Sequence, residues 1–167
     1  PGAGSHELEI EKYPRVILVA TSSPCNARCP HCPCTIMPSI RDTEDAFIKF
    51  GYFKKLIDES APHGTFIRMS GYGEPLLHPQ FFELMDYAHN RGANVSLITN
   101  GSLLDKEKIE RLMKLELDAI EISVDSHREE IYKNIRVGLN FNKVRQNILD
   151  LVDARNRLDK KTCIMVS

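Results

Sequence analysis

The sequence has no long hydrophobic run and no marked excess of charge of either sign. Its longest apolar run is 16–20, far shorter than the roughly 18 residues that a membrane-spanning helix needs. The formal net charge of −1 argues against a broad basic face for nucleic acid and against a long acidic tail. Residues 1–6 lack the apolar core of a signal peptide. We therefore expect a soluble, cytoplasmic protein without a membrane or nucleic-acid partner.

The sequence also lacks the cysteine pattern of a disulfide framework. It has five cysteines, an odd number, and four of them lie within ten residues: Cys25, Cys29, Cys32 and Cys34. Such crowding in one loop favours a metal or cluster site over disulfides. We expect Cys34 to be a loop thiol. Cys163 stands alone on the last predicted strand, where we expect a core residue, with the lumen of a barrel as the alternative.

Short β-branched runs alternate with segments of helical periodicity. Five runs predict β-strands, at 15–21, 66–70, 95–99, 119–124 and 162–166. Between them, apolar residues recur at helical spacing in four segments, as at Phe50, Phe53 and Ile57. This alternation predicts an α/β fold with a parallel sheet and right-handed crossovers. No internal linker is visible, so we expect one domain, 15–167, after an N-terminal tail, 1–14.

The length of the chain and one long connection refine this prediction. A closed barrel of alternating strands and helices takes about 250 residues, so this 167-residue chain is too short for one. We expect a partial TIM-type barrel that is truncated after the fifth strand and incomplete at its C-terminus. The long loop at 21–45 follows the first strand, and long loops at the carboxyl ends of strands usually carry function in α/β folds.

The strongest chemical signal is the C-x3-C-x2-C run formed by Cys25, Cys29 and Cys32. Three thiolates at this spacing can converge on one metal centre, and thiolates are the usual ligands of iron–sulfur clusters. Three protein ligands leave one iron of a four-iron cluster open, which is typical of a site that binds substrate. The alternatives are a structural zinc site, with Cys34 or His31 as fourth ligand, and a ferredoxin-like electron carrier. A carrier would be expected to have all four cluster ligands.

The position of this run and the motifs at later strand ends resemble the radical S-adenosylmethionine (radical SAM) superfamily. Residues 70–76, S-G-Y-G-E-P-L, are similar to the GGEP motif of that family. The T-N-G of 99–101 and the S-V-D of 123–125 follow at the next two strands. The segments 132–136 and 141–144 resemble the approach to the fourth predicted helix in one branch of the family. That branch includes peptide-modifying, sulfatase-maturing and molybdenum-cofactor-biosynthesis enzymes.

The resemblance spans about residues 15–166 and implies a cofactor set and a reaction. Cys25, Cys29 and Cys32 would hold a [4Fe-4S] cluster whose open iron is chelated by S-adenosylmethionine. Reductive cleavage would give a 5′-deoxyadenosyl radical that abstracts hydrogen from an unidentified substrate. The resemblance thus implies an oxidoreductase or transferase with a small-molecule or peptide substrate and a one-electron donor such as flavodoxin or ferredoxin. The alternative is a zinc or iron–sulfur binding module without turnover.

Eight residues are candidates for binding S-adenosylmethionine: Gly71, Gly73, Glu74, Asn100, Ser123, Asp125, Arg136 and His31. The two glycines let the backbone approach a ligand closely, and the Glu74 carboxylate suits a ligand ammonium group. Ser123 and Asp125 alternate on the predicted fourth strand, so we expect both to point to one face, where they suit ribose hydroxyls.

The other three candidates are assigned by side-chain chemistry and by the resemblance. The guanidinium fork of Arg136 fits the carboxylate of the ligand. Asn100 binds the ligand or caps the turn after the third strand. His31 stands where the family often has a large aromatic residue, so its backbone is expected to meet the adenine while ring stacking is less favoured.

Overall fold

The computed structural model describes residues 13–37, 39 and 45–167. The predicted N-terminal tail, 1–14, lies almost entirely outside the described residues, and so does part of the predicted long loop, 21–45.

Five parallel strands form one open sheet, and their order in the sheet is their order in the sequence. They are β1 (Val16–Val19), β2 (Phe66–Met69), β3 (Asn94–Thr99), β4 (Ala119–Ile122) and β5 (Cys163–Val166). The predicted α/β fold with parallel strands is confirmed. Because all strands run the same way, the loops that follow them lie along one edge of the sheet, called here the carboxyl edge.

Six α-helices occur in the described residues. They are α1 (Pro33–Ile36), α2 (Phe50–Ser60), α3 (Phe81–Asn90), α4 (Lys106–Leu115), α5 (Glu129–Ile135) and α6 (Phe141–Arg157). The four predicted helices correspond to α2, α3, α4 and α6. The other two, α1 and α5, are too short to show a helical repeat of apolar residues, so the periodicity did not predict them.

The two faces of the sheet differ in burial. Val19, Met69, Leu97 and Ile120 lie in one core with apolar residues of α2, α3, α4 and α6. Alternate residues point to the other face, where Val16 and Leu18 are 52% and 67% exposed. We call this second surface the open face.

Cys163 belongs to the open face. It pairs in register with Ala119, and its thiol is exposed. The prediction that Cys163 is a core residue is therefore wrong. The cause is strand alternation, which turns the neighbouring Ile164 toward the core and Cys163 away from it.

The fourth strand is shorter than predicted. It ends at Ile122, and Asp125 adopts a left-handed backbone conformation with φ of 61°. The backbone N–H groups of Val124 and Asp125 both donate to the carbonyl of Ser167, at 2.7 and 2.8 Å. The expected strand alternation of Ser123 and Asp125 is thus wrong, because the chain bends onto the end of β5 before it reaches Asp125.

Candidate functional site

A cavity of about 240 Å³ at the carboxyl edge brings together ten of the eleven predicted site residues. They are Cys25, Cys29, His31, Cys32, Gly71, Gly73, Glu74, Asn100, Ser123 and Arg136. The eleventh, Asp125, is joined to the cavity through an ion pair with Arg136. The cavity lining also includes Ile98, which sequence reasoning did not assign to the site although it shares the open-face side of β3 with Ser96.

The three cysteines lie on one loop, and backbone or side-chain N–H groups surround two of their sulfurs. Cys29 is buried, while Cys25 and Cys32 are half-buried. The N–H of Ala27 lies 3.4 Å from Cys25 Sγ, and a guanidinium nitrogen of Arg136 lies 3.8 Å from Cys29 Sγ. N–H donors and a positive charge next to the sulfurs suit the negative charge of a metal cluster with thiolate ligands. The donor set therefore fits a cluster held by three thiolates.

Cys34 is set apart from these three cysteines. It lies on α1, buried, and its thiol donates to the carbonyl oxygen of Tyr72 at 3.1 Å. Cys34 is thus a helix residue rather than the predicted loop thiol. Within 13–37, 39 and 45–167, no group of three or more His, Cys, Asp or Glu side chains is arranged to hold a single metal ion.

A side chain at Gly71 or Gly73 would collide with the protein's own chain. A Cβ on Gly71 would lie 2.6 Å from the Cβ of Ala20. A Cβ on Gly73 would overlap the carbonyl of Ser22 and lie 2.7 Å from the carbonyl oxygen of Pro24. The segment that fills this space is the chain that enters the cysteine loop, so both glycines have a structural role, and the approach of their backbone to a ligand stays a prediction.

Glu74 is almost fully buried, and its carboxylate is already occupied by internal hydrogen bonds. It accepts from Thr99 Oγ1 at 2.6 Å, from the N–H of Asn100 at 2.8 Å and from the N–H of Leu76 at 3.2 Å. Burial raises the pKa of Glu74, although these hydrogen bonds oppose the shift. The carboxylate thus ties the turn after β2 to the end of β3, and its contact with a ligand ammonium group stays a prediction.

Arg136 and Asp125 form an ion pair at the mouth of the cavity. Burial lowers the pKa of Arg136, but the hydrogen bond and charge of Asp125, together with Cys29, outweigh burial and raise it. The guanidinium therefore stays charged next to Cys29. The structure thus directs the Nε edge of Arg136 to Asp125, while its Nη1 faces the cysteine sulfur.

The remaining predicted residues lie on the cavity wall. Ser123 is half-buried and follows the end of β4, whereas His31 is exposed between Cys29 and Cys32. Among the described residues, no helix combines the length and apolar character that crossing a membrane requires.

Comparison with known proteins places this site in a family. A sequence profile of the radical SAM superfamily matches residues 19–166. The AdoMet-dependent heme synthase of Methanosarcina barkeri is 33% identical over 129 residues, which are 77% of this chain and 36% of that relative. The chain thus spans only about a third of the length of this relative.

Two solved structures show the same fold. Streptococcus suis SuiB bound to precursor peptide SuiA has a TM-score of 0.74 and 16% identity, over 92% of this chain and 33% of that chain. Native anSMEcpe with bound AdoMet has a TM-score of 0.67 and 21% identity, over 89% and 42% of the two chains.

The profile match includes the cysteine loop and all the strand-end motifs that line the cavity. The superfamily uses a [4Fe-4S] cluster together with S-adenosylmethionine. The three-thiolate loop, with its N–H and guanidinium neighbours, has the chemistry that such a cluster needs. We conclude that this chain belongs to the radical SAM superfamily.

Proposed function

We propose that residues 15–167 form the core of a radical SAM enzyme, in which Cys25, Cys29 and Cys32 hold a [4Fe-4S] cluster. One observation carries this proposal: the three cysteines share a single cavity with polar groups from the ends of β2, β3 and β4 and with Arg136, which follows α5. A structural metal site does not need such groups around its ligands. A site that binds a polar ligand next to the cluster does need them.

The residues on the cavity wall are the proposed contacts of S-adenosylmethionine. The backbone of Gly71 and Gly73 and the side chain of Ser123 offer hydrogen-bonding groups for its amino group and ribose. Arg136 has a guanidinium fork that suits its carboxylate, with Asp125 holding the fork in place. His31, which is exposed on the cysteine loop, is the proposed contact of the adenine through its backbone.

Glu74 and Asn100 have a different proposed role. Their side chains are bonded within the protein, so we assign them to the shape of the ligand pocket rather than to direct contact. Burial of Glu74 next to Thr99 fixes the turn that presents Gly73 to the cavity.

Cys25, Cys29 and Cys32 would hold the cluster, which would supply the one electron that breaks a sulfonium C–S bond of S-adenosylmethionine to give methionine and a 5′-deoxyadenosyl radical. That radical would take a hydrogen atom from the substrate. The protein residues position the ligand and keep water away from the reacting atoms. The electron would come from a one-electron donor such as flavodoxin or ferredoxin. A peptide or small molecule is the proposed substrate class, and the similarity to SuiB, which was crystallised with its precursor peptide, favours a peptide.

The test is anaerobic reconstitution of the chain with iron and sulfide. About four irons per chain are expected from the cluster type. The electron paramagnetic resonance spectrum of the reduced protein should change when S-adenosylmethionine is added, and 5′-deoxyadenosine should form. A chain that takes up zinc alone, or a cluster whose spectrum ignores S-adenosylmethionine, would instead support a binding module without turnover.

Matched cysteine variants make the test specific. Cys29→Ala should lose cluster binding, because it removes one of the three ligands. Cys163→Ala removes an exposed thiol on the open face and should load as the wild type does. Cys34→Ala separates the zinc alternative in which Cys34 is the fourth ligand, since zinc bound by four cysteines would be lost and a three-thiolate cluster would be retained.

A further inference from the structure

Three side chains next to Cys25 form a closed ring of hydrogen bonds. Asn26 Nδ2 donates to Ser102 Oγ at 2.8 Å, and Ser102 Oγ donates to Asn100 Oδ1 at 2.6 Å. Asn100 Nδ2 closes the ring by donating to Asn26 Oδ1 at 2.9 Å. Two segments 74 residues apart are thereby joined, because Asn26 lies in the cysteine loop and Asn100 follows β3.

The ring fixes which way the Asn100 amide points. The backbone N–H of Ser102 donates to Asn100 Oδ1 at 2.9 Å, so the oxygen of that amide must face Ser102. The amide NH2 group is then turned toward the cysteine loop, where it lies 4.0 Å from Cys25 Sγ. Asn100 itself is anchored from behind, because its backbone N–H donates to the buried carboxylate of Glu74.

From this geometry we propose that the Asn26–Asn100–Ser102 ring is a positioning device for Cys25 that sets the retention and the reduction potential of the cluster. The inference rests on the proposed function, since it assigns the ring to the cluster held by Cys25. Hydrogen bonds to the sulfurs help to set the potentials of iron–sulfur clusters, because they stabilise the more negative, reduced state. Residues behind metal ligands also hold those ligands in their binding orientation.

The first test is Asn100→Asp, compared with Asn94→Asp in the same reconstituted chain. Aspartate has the shape of asparagine but no N–H donor, and its charge would lie near the Cys25 sulfur. Asn94 is half-buried at the opposite end of β3, where its Nδ2 donates to the carbonyl of Gly64 at 3.3 Å, so the same chemical change there, away from the cysteines, is the matched control. A redox titration followed by electron paramagnetic resonance should shift Asn100→Asp to a more negative potential and leave Asn94→Asp unshifted.

A second variant covers the case in which Asn100→Asp does not fold. Asn26 is exposed, so Asn26→Ala should leave the core intact while it opens the ring. Loss of partners behind a metal ligand lowers metal affinity by about tenfold or more. Iron release to a chelator should therefore be about tenfold faster in Asn26→Ala than in Asn94→Asp.

The outcomes separate this inference from the proposed function. A wild-type chain that takes up no iron–sulfur cluster would overturn the proposed function and the ring's role with it. A wild-type chain that loads about four irons, with the same potential in Asn100→Asp and the same iron release in Asn26→Ala, would overturn the ring's role alone. A negative shift together with faster release is the result that supports it.

Discussion

Polar side chains at the two edges of the sheet are used in different ways. At the carboxyl edge, Glu74 and Asn100 are buried and bonded to other parts of the chain. The opposite edge of the sheet, where the strands begin, is called here the amino edge. There Glu116 and Lys160 precede β4 and β5 and form an exposed ion pair. Exposed pairs contribute little to stability, whereas a buried polar group must be bonded or it costs free energy.

This difference shows where the fold holds its binding site. Buried hydrogen bonds at the carboxyl edge fix the loops relative to each other, so the cavity is shaped before any ligand arrives. The amino edge needs no such fixing, because its turns only connect helices to strands. We therefore expect substitutions at the carboxyl edge to affect folding and cluster binding together, and substitutions at the amino edge to affect neither strongly.

The largest effect is expected from Gly73→Ala. Its Cβ would overlap the Ser22 carbonyl, which is backbone and has no side-chain rotamer by which to move away. Overpacking of this kind costs about 3 kcal/mol or more in the free energy of unfolding. Denaturant unfolding of the apoprotein should show the loss of stability, and reconstitution with iron should show the loss of cluster binding.

Gly51→Ala is the control for that change. Gly51 lies in α2 with open space around it, so alanine should stabilise the helix by about 0.5–1 kcal/mol. If both variants unfolded at the same denaturant concentration, the tight approach of the turn after β2 to the cysteine loop would have no energetic role.

The second expected effect is a pH dependence that differs between the edges. Glu74→Gln removes one acceptor oxygen from three buried donors, which costs about 2 kcal/mol. Burial raises the pKa of Glu74 in the folded protein. The resulting contribution to the free energy of unfolding is fully present at pH values below the pKa of Glu74 in the unfolded chain, and it is lost as pH rises through its pKa in the folded protein. The wild-type advantage over Glu74→Gln should therefore shrink from acid to neutral pH in denaturant titrations.

Glu116→Gln at the amino edge should show the opposite trend. The hydrogen bond to Lys160 lowers the pKa of Glu116, so its contribution is present above the unfolded pKa and disappears as pH falls. If the stability advantage of the wild type over Glu74→Gln and that over Glu116→Gln changed in the same direction with pH, the contrast between a buried and an exposed carboxylate would be contradicted.

A smaller effect on stability is expected at the Arg136–Asp125 pair. Arg136→Gln should cost about 1 kcal/mol, because the pair is only partly buried. It also removes the positive charge next to Cys29, so iron loading should fall more than stability does. Lys160→Gln removes a cation of the exposed pair and should load normally; equal loading of the two variants would mean that Arg136 does not support the thiolate.

The sequence predicted the parts of this molecule that depend on local pattern. Apolar periodicity located five strands and four helices, and the C-x3-C-x2-C spacing located the cysteine loop. The resemblance to the radical SAM superfamily located motifs at the ends of successive strands. A parallel sheet brings those ends to one edge. Ten predicted residues consequently line one cavity.

Features that depend on packing between distant segments were not predicted. Whether Gly73 is needed for a ligand or for Ser22 cannot be read from local spacing, since the two lie about fifty residues apart in sequence. The same holds for Glu74, whose partners belong to the next strand, and for Asn26, whose partners follow β3. Cys163 was misplaced because a single exposed thiol on an apolar strand has no local signature.

Tyr132 is, with Thr21, one of the buried polar residues at the carboxyl edge whose side chain lacks a partner within the described part of the chain, and it gives the smallest expected effect. Its side chain is fully buried on α5, and its hydroxyl has no hydrogen-bond partner among the described residues. Tyr132→Phe removes that hydroxyl and keeps the ring that packs edge-on against Phe141. The apoprotein should gain up to about 1 kcal/mol, since an unbonded buried polar group is costly.

Two measurements test this assignment. Burial raises the pKa of Tyr132 to about 12, so its phenol should stay neutral while exposed tyrosines ionise, and ultraviolet titration of wild type and Tyr132→Phe should agree below that pH. The contribution of the raised Tyr132 pKa to the free energy of unfolding is fully present at pH values below the pKa of this tyrosine in the unfolded chain. It is lost as pH rises through about 12. Tyr87→Phe is the control, because its hydroxyl donates to Asp58 at 2.7 Å and its removal should destabilise. If Tyr132→Phe destabilised the apoprotein as well, the Tyr132 hydroxyl would be bonded and its burial would carry no cost.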